Sequence, residues 1–149
     1  MKRVTHISKS PEETLALGDG WGREARAGWV IGLAGELGAG KTLLTRGIAR
    51  GLGFAGRVHS PTFALVNLYE GGRLPMHHFD FYRLDQPESL HRADLLHWLE
   101  APPGLSVVEW FDRWGLDWWK NLGIPLARQV FIVPRSETER EIHYEDPGD

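Results

Sequence analysis

The stretch Gly35-Glu36-Leu37-Gly38-Ala39-Gly40-Lys41-Thr42 satisfies every fixed position of the pattern G-x-x-x-x-G-K-(S/T). The apolar run at residues 29–34 comes directly before it and has the length and β-branched content of a buried parallel strand. A helix is expected after it, because apolar residues recur at helical spacing from Leu43 to Ile48 and the Gly-Leu-Gly at residues 51–53 supplies a stop signal. A strand, a glycine-rich loop and a helix in this order predict a binding site for the phosphates of a nucleotide.

The residue types of this loop match what a triphosphate requires. Glycines permit positive φ and let backbone N–H groups approach the β-phosphate, while the start of the helix adds partial positive charge. Lys41 can bridge the β- and γ-phosphates, and the hydroxyl of Thr42 can bind Mg²⁺. The alternative is a glycine-rich turn that caps an ordinary helix. The strand and the helix on either side of the loop favour the phosphate site.

Composition limits the other possibilities. The chain has 149 residues, 42% of them apolar, which predicts one compact domain over residues 1–149, with residues from about 145 to 149 frayed. The absence of cysteine excludes disulfides and Cys-based zinc sites and fits a reducing cytoplasm. A net charge of −3 indicates that any link with nucleic acid is indirect. The sequence contains no apolar run long enough to predict a membrane span, and none after the N-terminal charges that would predict export.

Periodicity along the rest of the chain predicts an α/β fold, with a mixed, mainly parallel sheet flanked by helices. A helix is expected from Pro11, capped by Ser10 and weakening near Gly18 and Gly20. Strands are expected at residues 3–7, 63–69, 74–82, 105–109, 128–134 and 141–144, the second and third of them forming a hairpin. Further helices are expected along an apolar stripe at residues 90–99 and at residues 112–121.

Two acidic residues are candidates for the metal-binding and water-orienting groups that a phosphate loop alone lacks. Glu109 ends the apolar run at residues 105–108 and would lie beside the loop at the carboxyl edge of the sheet. Asp80 shares one face of its strand with His78 and Tyr82, by period-2 alternation, and this polar face would line the site. A transition-metal centre is not expected, because His77 points to the other face.

Four tryptophans crowd the segment after Glu109: Trp110, Trp114, Trp118 and Trp119. Trp114 and Trp118 are four residues apart and would share one face of a helical turn. Two interpretations are open. These rings pack over the edge of the sheet, or they form an exposed aromatic patch that docks a partner.

Several motifs in order give the chain a resemblance to the TsaE family, the small P-loop ATPases of bacterial tRNA threonylcarbamoyladenosine formation. Besides the glycine loop, the motifs are Ser60-Pro61-Thr62-Phe63, His78-Phe79-Asp80-Phe81-Tyr82-Arg83-Leu84 and Val108-Glu109-Trp110. The resemblance implies a cytoplasmic P-loop ATPase that uses ATP or ADP and Mg²⁺. It also implies homologues of TsaB and TsaD as protein partners, with tRNA reached only indirectly and no contact with a membrane.

The resemblance implies roles for single residues as well. Thr42 and Glu109 would be ligands of Mg²⁺, Asp80 would support hydrolysis together with Lys41 and Glu109, and residues 60–62 would form a switch-like loop that senses the γ-phosphate. The residues implied to contact the nucleotide are Ser10, Pro11, Gly38, Ala39, Gly40, Lys41, Thr42, Leu43, Thr62, Trp110 and Arg140.

Two other functions remain open at the level of sequence. A small P-loop kinase for a nucleoside or metabolite would need an Arg-bearing lid, for which only Arg83 and Arg92 lie in a suitable region. A nucleotide-gated binding module would use Lys41 and Thr42 but would not need the acidic residues for turnover.

Overall fold

The apolar run before the glycine loop forms the centre of a mixed sheet. The computed structural model describes residues 2–36, 38–61 and 65–146. The strands in this part of the chain are β1 (Lys2–Ser8), β2 (Trp29–Gly35), β3 (Val66–Tyr69), β4 (Met76–Asp80), β5 (Leu105–Glu109), β6 (Arg128–Pro134) and β7 (Arg140–Asp146). The helices are α1 (Pro11–Glu24), α2 (Lys41–Gly51), α3 (Glu88–Arg92), α4 (His97–Glu100) and α5 (Leu116–Asn121), with a 3₁₀ turn at Phe81–Arg83.

The strands pair in the order β1-β7-β6-β2-β5-β4-β3. β2 is parallel to β5 and β6, and β4 is parallel to β5. β7 runs antiparallel to β6 and β1, and β3 runs antiparallel to β4. The predicted α/β class, the mixed sheet and the hairpin of β3 and β4 are thus confirmed. Five of the seven described strands run in one direction, although only three of the six strand pairings are parallel. Because the central strands are parallel, their carboxyl ends meet at one edge, where Glu109 lies opposite both Leu33 and Asp80.

Helices α1 and α2 cross at a contact made of glycines. Four of them face one another: Gly18, Gly22, Gly47 and Gly51. A Cβ atom at Gly22 would lie 2.1 Å from the carbonyl oxygen of Ile48, so the two backbones touch directly. The predicted weakening of α1 near Gly18 and Gly20 is wrong, because this packing stabilises a helix that glycine propensity alone disfavours.

Three predicted elements are shorter or more broken than the pattern indicated. The helix predicted at residues 112–121 begins only at Leu116. The stripe at residues 90–99 forms two short helices, separated at Asp94, whose φ of 55° is left-handed. The strand predicted at residues 74–82 ends at Asp80, because the Asp80 side chain accepts a hydrogen bond of 3.0 Å from the Tyr82 N–H and turns the chain into the 3₁₀ turn. Local side-chain bonding overrides the strand pattern at this position.

Strand β7 continues to Asp146, where fraying was expected from residue 145. Glu145 pairs with Arg3, and the carboxylate of Asp146 accepts a hydrogen bond of 2.7 Å from Nε of Arg128. Arg128 is buried, and its guanidinium lies 4.9 Å from the centre of the Trp21 ring. The expectation is therefore corrected for residues 145 and 146, whereas residues 147–149 lie outside the described part of the chain.

The sheet has an apolar cluster on each face. One cluster lies under α1 and α2, and the other contains the crowded tryptophans. Trp114 and Trp118 make an edge contact with ring centres 4.9 Å apart, and Trp114 also packs on the buried ring of Phe81. Trp119 is buried in this cluster, and the other three rings are partly buried against it, which supports the packing interpretation. The docking of a partner on their exposed parts stays a prediction. Among the described residues, no helix has the length and hydropathy that a membrane span requires.

Candidate functional site

A cleft of about 810 Å³ opens at the carboxyl ends of β2, β5 and β4, beside the start of α2. Its volume lies within the range of small-molecule sites. Of the predicted site residues, those that line it are Ser10, Pro11, Gly38, Ala39, Gly40, Lys41, Thr42, Leu43, Asp80, Glu109, Trp110 and Arg140. Thr62, also predicted, lies outside the described residues. The cleft lining also includes Ser60, from the predicted switch-like loop, and Tyr82, from the predicted polar face beside Asp80. The remaining lining residues had no predicted contact with the nucleotide: Thr14, Arg46, Arg83, Glu137 and Thr138.

The glycine loop keeps the backbone accessible from the cleft. Gly38 and Gly40 have φ values of +81° and +113°, and a Cβ atom at either would meet nothing within 4 Å. Gly40 is the N-cap of α2 and accepts its first helical hydrogen bond, from the N–H of Leu44 at 2.9 Å. The backbone N–H groups at the start of α2 therefore lack helical acceptors and can bind an anion.

Lys41 is buried at the floor of this loop. Its Nζ donates hydrogen bonds to the carbonyl oxygens of Gly35 at 2.6 Å and Glu36 at 2.8 Å, and it lies 4.1 Å from the centre of the Trp110 ring. Burial lowers the pKa of Lys41, although Glu109 and the other nearby carboxylates oppose this effect. The site thus holds a cation that is partly removed from water and that an anionic ligand would stabilise.

Trp110 takes a backbone conformation that is rare for a bulky residue. Its φ is 60°, and its N–H donates a hydrogen bond of 2.8 Å to the carbonyl oxygen of Leu33. Its ring packs against Tyr82 with centres 5.0 Å apart. Such left-handed strain occurs chiefly where a functional site requires it. Here it turns the chain directly after Glu109 so that the Trp110 ring lies beside Lys41.

Thr42 and Glu109 meet across the mouth of the loop. The Thr42 hydroxyl donates to Oε1 of Glu109 at 2.9 Å and lies 3.0 Å from Oγ of Ser60. Glu109 is 2% exposed. No cluster of three or more His, Cys, Asp or Glu side chains placed to hold a metal occurs in the described ranges. Hydroxyl and carboxylate oxygens, few in number, match Mg²⁺, which takes hard oxygen ligands and completes its shell with phosphates and water.

Asp80 lies next to Glu109, because the two residues are opposite each other on parallel strands. Burial raises the pKa of Asp80, and the charge of Glu109 raises it further, against the hydrogen bond from Tyr82 and the charge of Arg83. Two neighbouring carboxylates that repel each other in a buried place are a common arrangement at sites that bind cations or transfer protons.

The raised pKa of Asp80 predicts a pH-dependent gain of stability in Asp80→Asn without nucleotide. A carboxyl with a higher pKa in the fold than in the unfolded chain costs stability when it ionises, as the pH rises above the ordinary value of 3.8. At pH 7 we expect the free energy of unfolding of the variant to exceed that of wild type by more than about 0.5 kcal/mol, the usual effect of a surface substitution. This difference should disappear below a pH of about 4. Urea unfolding in EDTA at both pH values measures this. Asp85→Asn, an exposed neighbour, is the control, and an equal gain at both pH values would contradict the prediction.

Two of the residues implied at the nucleotide have structural contacts of their own. Arg140 donates a hydrogen bond of 2.9 Å from Nε to the carbonyl oxygen of Ala39, so it holds the backbone of the glycine loop. Ser10 caps α1 by accepting a hydrogen bond of 3.1 Å from the N–H of Glu13, as its sequence pattern predicted. The catalytic, metal-binding and nucleotide-binding roles of these site residues stay predictions.

His78 has a contact that the sequence analysis did not predict. Alternation predicted that His78 lies on the same face as Asp80. The structure adds that its Nε2 lies 2.5 Å from Oε2 of Glu109. His77 points to the other face and stacks on Trp98 with ring centres 4.3 Å apart. Glu109 is 31 residues from His78 in the sequence, so no local pattern could predict their contact. Strand alternation could predict only the face on which His78 lies.

A glycine loop between a central parallel strand and a helix, with acids at the ends of two neighbouring strands, defines an α/β protein of the P-loop NTPase-like class. The family model described as "Threonylcarbamoyl adenosine biosynthesis protein TsaE" matches residues 8–142. The chain belongs to the TsaE family, whose members take part in the biosynthesis of threonylcarbamoyladenosine in tRNA. The resemblance noted in the sequence is thereby confirmed.

Individual relatives support the same assignment. The chain is 40% identical to the tRNA threonylcarbamoyladenosine biosynthesis protein TsaE of Bacillus subtilis over 150 residues, covering 99% of this chain and 89% of that protein. It is 44% identical to the protein of the same name from Nostoc sp. over 104 residues, covering 68% of this chain. The match to that relative and the match to the Synechocystis protein each span 64% of the relative's length.

The fold also matches a solved structure. The crystal structure of Bacillus subtilis YdiB superposes with a TM-score of 0.72 at 30% sequence identity, covering 99% of this chain and 87% of that chain.

Proposed function

We propose that this protein binds ATP or ADP with Mg²⁺ and hydrolyses ATP as one component of the tRNA threonylcarbamoyladenosine machinery. One observation carries the proposal. The hydroxyl of Thr42, at the start of α2, contacts the carboxylate of Glu109, at the end of β5, directly beside the open glycine loop. A hydroxyl and a strand-end carboxylate in this relation are what P-loop enzymes use to hold a metal against the phosphates.

Different residues are proposed to bind the nucleotide and to support its hydrolysis. Lys41 and the N–H groups at the start of α2 bind the phosphates, while Thr42 and Glu109 hold Mg²⁺. A Mg²⁺ ion held by these two residues would supply positive charge that offsets the negative charge developing on the phosphates during transfer. Asp80 orients the attacking water, because Oδ1 is bound to the Tyr82 N–H whereas Oδ2 has only a long contact of 3.7 Å with Arg83.

The proposed partners are homologues of TsaB and TsaD, and the proposed setting is the cytoplasm. We propose that tRNA is reached only through these partners, in keeping with the net charge of −3. Turnover by the isolated protein is then expected to be slow, because in this proposal a docked partner completes the catalytic surface.

Phosphate release from ATP, measured with and without the TsaB and TsaD homologues, tests this function. We expect slow Mg²⁺-dependent release alone and faster release with the partners. A fast rate that the partners leave unchanged would contradict the proposed coupling. Transfer of the γ-phosphate to a nucleoside instead of water would favour the kinase. If calorimetry detects no binding of magnesium ATP or ADP at millimolar concentrations, the proposed function is wrong.

Asp80→Asn separates turnover from binding and so distinguishes an ATPase from a binding module. We expect the variant, with its partners, to hydrolyse ATP about 100-fold more slowly, because it loses the carboxylate that handles the water, while its affinity for ATP stays close to wild type. Asp85→Asn, exposed and outside the cleft, should hydrolyse ATP at the wild-type rate. Wild-type turnover in Asp80→Asn would remove Asp80 from the mechanism, and loss of ATP binding would show that our division of roles is wrong.

A further inference from the structure

The carboxylate of Glu109 is held from two sides by different elements of the fold. Its Oε1 accepts the hydrogen bond from Thr42 at 2.9 Å. Its Oε2 lies 2.5 Å from Nε2 of His78 and has a longer contact of 3.2 Å with the same Thr42 hydroxyl. The side chain of His78 is fully buried, and that of Glu109 is 3% exposed. Buried carboxylate oxygens need hydrogen-bond partners, and the contact with His78 is the shorter of the two that hold Oε2.

The other nitrogen of His78 extends this contact away from the cleft. Nδ1 lies 3.2 Å from the hydroxyl of Tyr69, on the neighbouring strand β3. The Tyr69 hydroxyl in turn donates a hydrogen bond of 2.9 Å to the carbonyl oxygen of His59. Each nitrogen of the buried imidazole therefore has a partner, which fixes the plane of the ring.

These contacts close a ring around the proposed metal site. His59 precedes Ser60, whose Oγ lies 3.0 Å from the Thr42 hydroxyl that donates to Glu109. The full ring consists of Thr42, Glu109, His78, Tyr69, His59 and Ser60. Both residues that contact the Thr42 hydroxyl are thus tied to the same buried histidine, one directly and the other through Tyr69.

We propose that His78 is a positioning residue that holds the Glu109 carboxylate in the orientation required for Mg²⁺ and links it, through Tyr69, to the segment at residues 59–61. The proposal rests on the proposed function, because it concerns the metal that Thr42 and Glu109 would bind. His78 itself is not a ligand. Its Nε2 is occupied by Glu109 and its Nδ1 by Tyr69, so neither nitrogen is available to a cation. Residues that orient ligands in this way tune metal affinity without touching the metal.

Two amide substitutions separate the two contacts of His78. The amide of His78→Gln reaches the place of Nε2 and can donate to Glu109, whereas the shorter amide of His78→Asn reaches the place of Nδ1 and can bind only Tyr69. Tyr69→Phe keeps the ring and removes the hydroxyl. His77→Gln is the matched control, because His77 is also a buried histidine of β4 but faces Trp98 on the other side of the sheet.

The first measurement is a titration of Mg²⁺ into each protein in the presence of a fluorescent ATP analogue, with EDTA as the metal-free reference. We expect His78→Asn to weaken the apparent affinity for Mg²⁺ by about 10-fold to 100-fold. His78→Gln should recover much of the loss, and Tyr69→Phe should lose less than His78→Asn. Affinity for the analogue in EDTA should stay the same in all variants, because Lys41 and the glycine loop are unchanged. Equal Mg²⁺ affinity in His78→Asn and wild type would overturn the proposal, as would an equal loss in His77→Gln.

The second measurement needs neither nucleotide nor metal. Crystal structures of the two His78 variants should show the Glu109 contact with Thr42 kept in His78→Gln and lost in His78→Asn. If the Glu109 side chain has the same position in both variants as in wild type, the positioning role is wrong, whatever the result of the titration. If wild-type protein bound no magnesium ATP, the proposed function would fail, while a displaced Glu109 in His78→Asn would still support the positioning role.

Discussion

Replacing Lys41 with methionine is expected to weaken the binding of magnesium ATP by about 100-fold to 1,000-fold, or about 3 to 4 kcal/mol. The Nζ of Lys41 is held by the carbonyl oxygens of Gly35 and Glu36, so its charge lies directly under the loop that would carry the phosphates. Because this ammonium is buried, a phosphate bound beside it is attracted through a medium of lower polarity than water. Removing the charge leaves that phosphate desolvated without its main counter-charge.

Isothermal titration with magnesium ATP and with ADP measures this loss. Methionine preserves most of the length of the side chain and can still pack on Trp110, so thermal unfolding of the variant should show a folded protein. Lys120→Met is the matched control, because Lys120 is exposed on α5 and does not line the cleft. Its affinity for ATP should equal that of wild type. An affinity in Lys41→Met within a few-fold of wild type would mean that the loop does not bind phosphates in the proposed way.

Replacing Gly22 with alanine is expected to lower the free energy of unfolding by about 3 kcal/mol or more. The added Cβ atom would lie 2.1 Å from the carbonyl oxygen of Ile48 and 2.9 Å from the Cα of Gly51. Both atoms belong to the backbone of α2, so no side-chain rotation can relieve the overlap. The helices must separate, and they then lose close packing along the crossing that also includes Gly18 and Gly47.

Gly20→Ala provides a matched control in the same helix. A Cβ atom at Gly20 meets nothing within 4 Å, and Gly20 is exposed. The same chemical change should therefore be neutral or should stabilise the protein by roughly 0.5 to 1 kcal/mol, because alanine favours a helix over glycine. Urea unfolding of both variants tests the pair. Similar stability of the two variants would mean that α1 and α2 do not pack as closely as the structure places them.

The phosphate loop could be predicted from the sequence because its chemistry is local. The glycines, Lys41 and Thr42 are adjacent in the chain, and their spacing alone places them at the start of a helix. The position of Glu109 could be predicted for the same reason, since it ends an apolar run that forms β5. Fold class, most strands and the face shared by His78 and Asp80 followed from periodicity.

Other features depended on contacts between distant segments and could not be predicted. Arg140 braces Ala39 over a separation of 101 residues. The break of the helical stripe at Asp94 and the continuation of α1 through Gly18 each contradicted the local pattern. At Gly18 the packing of α1 on α2, and not the propensity of the residue, decided the conformation.

The sequence by itself thus determined which residues could bind a nucleotide and on which elements they lie. The loop motif and the alternation along a strand depend only on residues that are close in the sequence. Only the tertiary structure decided how these residues are connected. The pairing of β4 with β5 places Asp80 opposite Glu109, and the same pairing brings His78 to the Glu109 carboxylate. Strand order and register result from burying both faces of the whole sheet at once, and no local pattern specifies that outcome.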